Sequence, residues 1–413
     1  MDKYIKLIKA YSKKHYDKML REPNGELKHR YIVPGSSSYS YQLWDWDSWL
    51  TDIAISQIIA DNNECSEEFI KYEKGCILNF LEHITPDGKI PIIVTPTGTF
   101  PKFNEDVITN MHKPCLAQHA AFIIKKLKEC EWIIPHFDKI KLFVDYYINN
   151  FRHNDTGLYF WQDDFAIGVD NDPATFYRPP KSSASIFLNC LMYKELDALC
   201  YMCSVLNVKD EKYVSEKENL KKSIQEHLWD ERNGLFYSAD LNLMPIVSEN
   251  KLHSGKPRHW NCLIQRIDIW SVFMPMWAGI ATEAQAKRMV CENMLDMSMF
   301  NAKYGIRTLS KLEKMYCVVK SNNPSCWLGP VWIISNYICF RGLVNYGFET
   351  EASELAKKTI LLLGMDVEKC GEMHEYYDPD TGEGIENQGF QNWNLLVNNM
   401  IAWIEEKIPT KEI

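Results

Sequence analysis

The sequence predicts an all-α fold, an (α/α)6 barrel in which six helical hairpins close into a toroid with long loops on one face. Three observations predict it. Apolar residues recur at spacings of three and four along the chain, no convincing series of alternating strands accompanies them, and the connections alternate between short and long. The helical segments read as 2–20, 47–61, 66–84, 114–129, 136–152, 182–206, 210–228, 267–279, 283–294, 327–346, 350–363 and 390–406. In the sixth, Ile186, Cys190, Tyr193, Leu196, Leu199, Met202 and Leu206 keep to one face. Thr282 followed by Gln285 is a capping-box pattern that opens the ninth.

Links near 62–65, 130–135, 207–209, 280–282 and 347–349 are tight, whereas 21–46, 85–113, 153–181, 229–266, 295–326 and 364–389 are long. Loops beyond about 12–15 residues are uncommon unless they carry function, so six of them need a reason. Hairpins in a ring supply one, with every tight turn on one rim and every long loop on the other. A weak internal repeat agrees: Asp87-Gly88, Asp155-Thr156-Gly157, Asn233-Gly234 and Asp380-Thr381-Gly382 each place a turn in a long loop, two of them followed by Leu-Tyr-Phe or Leu-Phe-Tyr. No Pro/Ser-rich linker divides the chain, and residues 1–413 are read as one catalytic domain.

Composition narrows the function. With 46 basic against 55 acidic residues the net charge is −9, which disfavours a phosphate-tracking surface and hence nucleic acid. No apolar run approaches the roughly 18 residues of a membrane helix, and lysines interrupt the first twenty residues, so neither a membrane partner nor a signal peptide is expected. Thirteen scattered cysteines do not form a disulfide framework, and the expected compartment is the cytoplasm. Cys200 and Cys203, the one CxxC, lie in an apolar helical stretch without a second pair and read as core residues. HExxH, GxxxxGK[ST] and GxSxG motifs are absent, so no cofactor and no metal is expected. Sequence alone leaves the oligomeric state open.

The long loops hold the chemistry-bearing clusters. Trp44-Asp45-Trp46-Asp47-Ser48-Trp49 interleaves indoles with carboxylates, a pattern suited to a sugar, whose C–H face stacks on aromatics while its hydroxyls donate to carboxylates. The third long loop carries Trp161-Gln162-Asp163-Asp164, Gly168-Val169-Asp170-Asn171-Asp172-Pro173 and Tyr177-Arg178. The Asp-Asn-Asp stretch reads equally as a solvated turn, and it lacks the Gly and Glu of a calcium loop. The last long loop is acidic, with Glu372, Glu375, Asp378, Asp380, Glu383 and Glu386 among Tyr376, Tyr377, Phe390 and Trp393. Two carboxylates from opposite loops over an aromatic cleft are what glycosidic cleavage requires.

In this order the motifs resemble the clan of (α/α)6 glycosidases that contains the trehalases and glycoside hydrolase family 63, and within it the mannosylglycerate/glucosylglycerate hydrolase-like branch. Pro34-Gly35 through Trp46-Asp47-Ser48 resembles the trehalase-type signature, and Asn110-Met111-His112-Lys113-Pro114-Cys115 resembles the clan's Gln-Pro-Pro segment. Gly168 to Pro173 resembles its Gly-x-Asp-Asn-x-Pro segment, and Trp327-Leu328-Gly329-Pro330-Val331-Trp332 follows Trp-x-Gly-Pro-Val-Trp. Glu375 to Gly384 resembles the segment of the second carboxylate. The resemblance implies an inverting hydrolase acting on a small α-linked glucoside or mannoside, with Asp170 as general acid and Glu375 as general base. It implies sugar contacts for Trp46, Asp47, Trp327 and Gly329, to which the loops add Asn110, Lys113, Trp161, Arg178 and Tyr376 as candidate substrate-binding residues. Two departures stand out: Lys113 occupies a position where glutamine is common, and Cys115 one where proline is usual. Lys113 and Arg178 are two cations suited to an anionic aglycone such as glycerate. The alternatives are a non-hydrolytic (α/α)6 sugar enzyme, an epimerase or lyase, and an inactive carbohydrate-binding relative. The partner in each case is a small carbohydrate.

Overall fold

The computed structural model describes residues 1–64, 67–103, 109–243, 259–319 and 324–412; residues 65–66 of the first tight link and parts of the second, fourth and fifth long loops lie outside them. Among the described residues there are twelve α-helices: α1 (Asp2–His15), α2 (Asp45–Asn62), α3 (Glu67–Glu82), α4 (Leu116–Leu127), α5 (Phe137–Asn150), α6 (Ile186–Val205), α7 (Glu211–His227), α8 (Met274–Trp277), α9 (Glu283–Arg288), α10 (Ile333–Asn345), α11 (Glu349–Cys370) and α12 (Val397–Ile404).

Burial sorts the helices into two rings. Every residue of α2 from Asp45 to Ile59 is buried, as are Leu116–Ile124 of α4, Ile333–Leu343 of α10 and Val397–Ala402 of α12. A helix buried all round must be enclosed by others. By contrast α1, α3, α5 and α7 bury only one stripe, such as Phe137, Ile140, Phe143, Val144 and Tyr147 on α5. Even-numbered helices therefore form the inner ring and odd-numbered ones the outer. Packing follows that order: α4 meets α6, α6 meets α8, α8 meets α10, α10 meets α12, and α12 meets α2. The ring is completed by polar links, His119 of α4 to Asp52 of α2 at 2.9 Å and Lys126 to Ser56 at 2.9 Å. The fold is the six-hairpin (α/α)6 toroid.

Several boundaries differ from the periodicity: α1 ends at His15 and gives way to a 3-10 turn over 16–19, α8 begins at Met274 after a 3-10 turn over 270–273, α9 passes into a π-helical turn over 289–294, and three further differences have a local cause. Residues 327–332, expected to open α10, stay outside the helix, because Gly329 sits at φ 139° and Pro330 cannot continue a ladder. Helix α11 runs to Cys370 rather than 363, because Gly364 is a contact point and not a stop: a Cβ there would meet the Tyr4 ring at 2.5 Å. It ends at Gly371 in the left-handed conformation, φ 72°. Before α12, residues 392–396 form a 3-10 turn. The Thr282–Gln285 capping box is present with both bonds. Gly88, Gly157, Gly234 and Gly382 all take positive φ, so each repeat of the turn pattern needs its glycine, and Leu158-Tyr159 and Leu235-Phe236-Tyr237 pack back as fully buried residues. Short strands of two or three residues, such as Ile93–Thr95 with Gly98–Phe100, lie in the long loops and stiffen them. No helix among the described residues is long and apolar enough to cross a membrane.

Candidate active site

A cleft with about 490 Å3 of empty space, its open mouth included, lies where the long loops converge. The first, second, third, fifth and sixth long connections all contribute to it, through Tyr39 and Trp44, Lys113, Ala166, Gly168 and Asp170, Ser325, Trp327 and Trp332, and Glu375 and Phe390. Trp46 and Asp47 enter from the first turn of α2, and Trp393 from the turn before α12.

Indoles build one wall. Trp327 stacks on Trp332 with ring centres 4.0 Å apart and 9° between planes, and Trp332 stacks in turn on Tyr376 at 4.8 Å. Trp46 lies 5.0 Å from Trp393 and 6.3 Å from Trp327. The rings are buried and their orientation is fixed from behind: Trp332 Nε1 donates to the Cys326 carbonyl at 2.7 Å, and Trp327 Nε1 donates to Ser325 at 3.1 Å.

The carboxylates sit among these rings. Asp170 is held by a hydrogen bond with Ser325, and burial raises its pKa. The neighbouring Asn171 side chain accepts from Trp327 N–H at 2.8 Å, which locks the third loop to the fifth. Glu375 accepts from Asn387 Nδ2 and also bonds Tyr39. Burial pushes it up to about 7, with smaller contributions from the charges of Glu386 and Asp170. The Asp170 charge is thus close enough to bear on Glu375. Asp47 is also buried and is pushed up to about 8, first by desolvation and then by the Asp45 charge. Its Oδ1 accepts from Asn392 at 2.5 Å, whereas its Oδ2 has no hydrogen-bond partner, and neither has Trp393 Nε1. An unmet acceptor and an unmet donor on cleft-lining residues are what hydroxyl groups of a ligand can satisfy.

Lys113 lines the cleft, but its charge is already used. Its Nζ lies 3.1 Å from Asp45 Oδ2, its backbone N–H donates to the same oxygen at 2.9 Å, and Asp45 Oδ1 accepts from Trp46 N–H at 2.7 Å. Both side chains are sealed from solvent, and Gly168 makes room for the lysine stem, since a Cβ there would meet Lys113 Cε at 2.6 Å. The pair fastens the second loop to the start of α2 directly beneath Trp46. Lys113→Met leaves Asp45 buried without its countercharge, so the expected cost is about 3–5 kcal/mol in a denaturant melt. A loss below about 1 kcal/mol would show that the pair does not hold the loops together.

Of the sequence-derived candidates, the cleft therefore brings together Trp46, Asp47, Lys113, Asp170, Trp327 and Glu375. The others stand behind it. Asn110 is fully buried and its amide donates to Asp163 Oδ1 at 2.8 Å and to the Phe165 carbonyl at 2.8 Å, which shapes the third loop. Trp161 packs in the core beside Phe187. Tyr376 lies behind Trp332, its hydroxyl donating to the Pro324 carbonyl at 2.6 Å. Gly329 gives Tyr316 room, because a Cβ would meet its ring at 2.5 Å. Arg178 does not reach the cleft wall and instead pairs with Asp240. Tyr39, Trp44, Ser325 and Phe390 line the cleft without having been singled out from the sequence as site residues.

Residues 40–393, most of the chain, match the family described as mannosylglycerate hydrolase MGH1-like glycoside hydrolase domain. The chain belongs to that glycoside hydrolase family. A mannosylglycerate hydrolase of Thermus thermophilus is 25% identical over 239 residues, which are 55% of this chain and 48% of that protein. A probable trehalase of Eremothecium gossypii is 29% identical over 213 residues, 48% of this chain and 26% of that one. The chain thus spans about half or less of these curated relatives. In fold, it superposes on the crystal structure of a family 63 mannosylglycerate hydrolase from Thermus thermophilus in complex with Tris and D-glycerate, with a TM-score of 0.70 and 18% identity over 95% of this chain and 99% of that chain. It likewise superposes on the neutral trehalase of Saccharomyces cerevisiae, with a TM-score of 0.59 and 16% identity over 94% of this chain and 79% of that chain.

Proposed function

We infer that this family member is an inverting glycoside hydrolase acting on a small α-linked glucoside or mannoside, with Asp170 as general acid and Glu375 as general base. The observation that carries the reading is that these two carboxyl groups, 205 residues apart in sequence, line one cleft walled by indoles. Burial favours the protonated form of Asp170, the state a proton donor needs. Burial pushes Glu375 up to about 7 against the opposing hydrogen bonds from Asn387 and Tyr39, so near neutral pH a carboxylate able to take a proton from water is populated.

In the reaction, Asp170 gives its proton to the glycosidic oxygen as the bond from that oxygen to the anomeric carbon breaks. Glu375 removes a proton from a water that attacks the same carbon from the opposite face, so an α-glycoside yields a β-sugar first. Trp46, Trp327 and Trp393 stack on the sugar, and the unpartnered Oδ2 of Asp47 hydrogen-bonds one of its hydroxyls. The enclosed part of the cleft is small, about 80 Å3, which favours a monosaccharide unit with a short aglycone over a polymer. Glycerate, which accompanies the superposed mannosylglycerate hydrolase, is one aglycone of that size. Because Lys113 and Arg178 are both paired with carboxylates, neither is a ready-made anion clamp, and the reading does not depend on an anionic aglycone.

The test is a hydrolysis screen over trehalose, kojibiose, nigerose, glucosylglycerate and mannosylglycerate. Release of the free sugar from at least one, abolished in Asp170→Asn, is expected. Binding of these sugars without cleavage would identify a carbohydrate-binding relative, conversion of the sugar without release of an aglycone would identify an epimerase, and cleavage that leaves an unsaturated sugar would identify a lyase.

A further inference from the structure

One cluster of side chains of metal-ligating type ends on the residue before Glu375 and takes no part in the proposed reaction. Asp366 and Cys370 stand one turn apart at the end of α11, and Gly371, in its left-handed conformation, turns the chain so that His374 returns to the same face. A carboxylate oxygen, the thiol sulfur and an imidazole nitrogen of the three come within 4.8 Å of one another. We propose that Asp366, Cys370 and His374 form a binding site for a thiophilic divalent cation such as Zn2+, placed to restrain the segment that carries Glu375.

The surrounding contacts already orient the ligands. Asp366 is buried, and its Oδ2 accepts from Tyr377 O–H at 2.9 Å and from His374 N–H at 2.9 Å. These outer bonds hold the carboxylate in one direction, as the supporting contacts of metal sites do. The His374 ring bonds the same carboxylate through Nδ1, at 3.0 Å to Oδ1. An ionised carboxylate only accepts, so Nδ1 carries the proton. The Cys370 thiol is hydrogen-bonded to Asp366 as well. Two protons, on the imidazole and on the thiol, therefore occupy the place where a cation would sit. Binding displaces both: the thiol proton is released to solvent and the imidazole proton moves to Nε2, so the histidine stays a neutral ligand, with no change of oxidation state. Small rotations bring such a triad to the roughly 2.0–2.3 Å of zinc–ligand bonds, with the fourth position left to water. Cys370 and His374 are part-exposed, which gives the ion a path, whereas Cys115, Cys190 and Cys339 are sealed in the core.

The consequence follows from sequence adjacency. Glu375 comes directly after His374, and Glu375 N–H is anchored to the Glu386 carbonyl at 2.9 Å. Turning the imidazole from its carboxylate partner to a metal shifts the backbone next to the proposed base, so the bound ion slows hydrolysis. That coupling rests on the role read for Glu375; the binding itself does not.

Cobalt titration of the reduced, chelator-treated full chain tests the site directly. Thiolate-to-cobalt charge-transfer absorption saturating at one equivalent is expected, displaced by Zn2+ and lost in Cys370→Ser, whose melting temperature stays unchanged. The zinc affinity of Cys370→Ser should fall at least about tenfold. The same absorption in Cys370→Ser, or none in the parent protein, overturns the site. With a cleaved substrate in hand, Zn2+ should slow the parent enzyme and spare Cys370→Ser; equal rates with and without metal overturn the coupling. If no glycoside is cleaved, the functional reading fails while the absorption still decides the site.

Discussion

Glu375→Gln is expected to lower kcat by about two to four orders of magnitude on every substrate the enzyme cleaves, with little change in melting temperature. The substitution is isosteric and keeps an acceptor for Asn387, so the fold has no reason to respond. Burial already pulls Glu375 toward its neutral form, so replacing it by a neutral amide adds no uncompensated charge. What disappears is the basic carboxylate proposed to take a proton from the attacking water. A good leaving group does not help, because activation of water is needed whatever departs. Steady-state kinetics on an O-glycoside and on the matching glycosyl fluoride should therefore show equal proportional losses. Turnover within about tenfold of the parent enzyme would show that another group is the base.

Asp170→Asn is expected to cost a similar two to four orders of magnitude on O-glycosides but far less on a glycosyl fluoride. Fluoride departs without a full proton transfer, so the missing acid matters less. The contrast with Glu375→Gln assigns the two roles rather than merely showing that both residues matter. Asn retains the possibility of a hydrogen bond to Ser325, and the adjoining Asn171–Trp327 link is untouched, so loss of the cleft wall does not explain the result. Equal losses on both substrates would remove Asp170 from the acid role.

The twelve helices were legible because burial and helical period coincide in this chain: an outer helix such as α5 shows one apolar stripe, and an inner one such as α10 is apolar nearly all round. The alternation of tight and long connections carried the ring closure. Boundaries failed where a glycine had a tertiary meaning, as at Gly364, which admits Tyr4, and at Gly329, which keeps residues 327–332 out of α10. The cleft was legible where the motif itself enters it, as with Trp46, Asp47, Asp170, Trp327 and Glu375. Pairing was not. Nothing local announces that Lys113 meets Asp45, 68 residues earlier, or that Arg178 meets Asp240, 62 residues later, so both cations read as candidates for a ligand, Arg178 equally as the holder of a structural carboxylate, which is the role it takes. Tyr39 was missed for the same reason: a tyrosine in a serine-rich loop gives no sign that it meets Glu375.

In the proposed mechanism two carboxyl groups flank one glycosidic bond, with a water between the base and the anomeric carbon. Proton NMR of the first minutes of hydrolysis of an α-glycoside tests it most directly, before mutarotation mixes the anomers. The β-anomer should appear first and the α-anomer only later. Initial release of the α-anomer would mean retention, with no room for the water, and would contradict the assignment of Glu375 as a base acting through water.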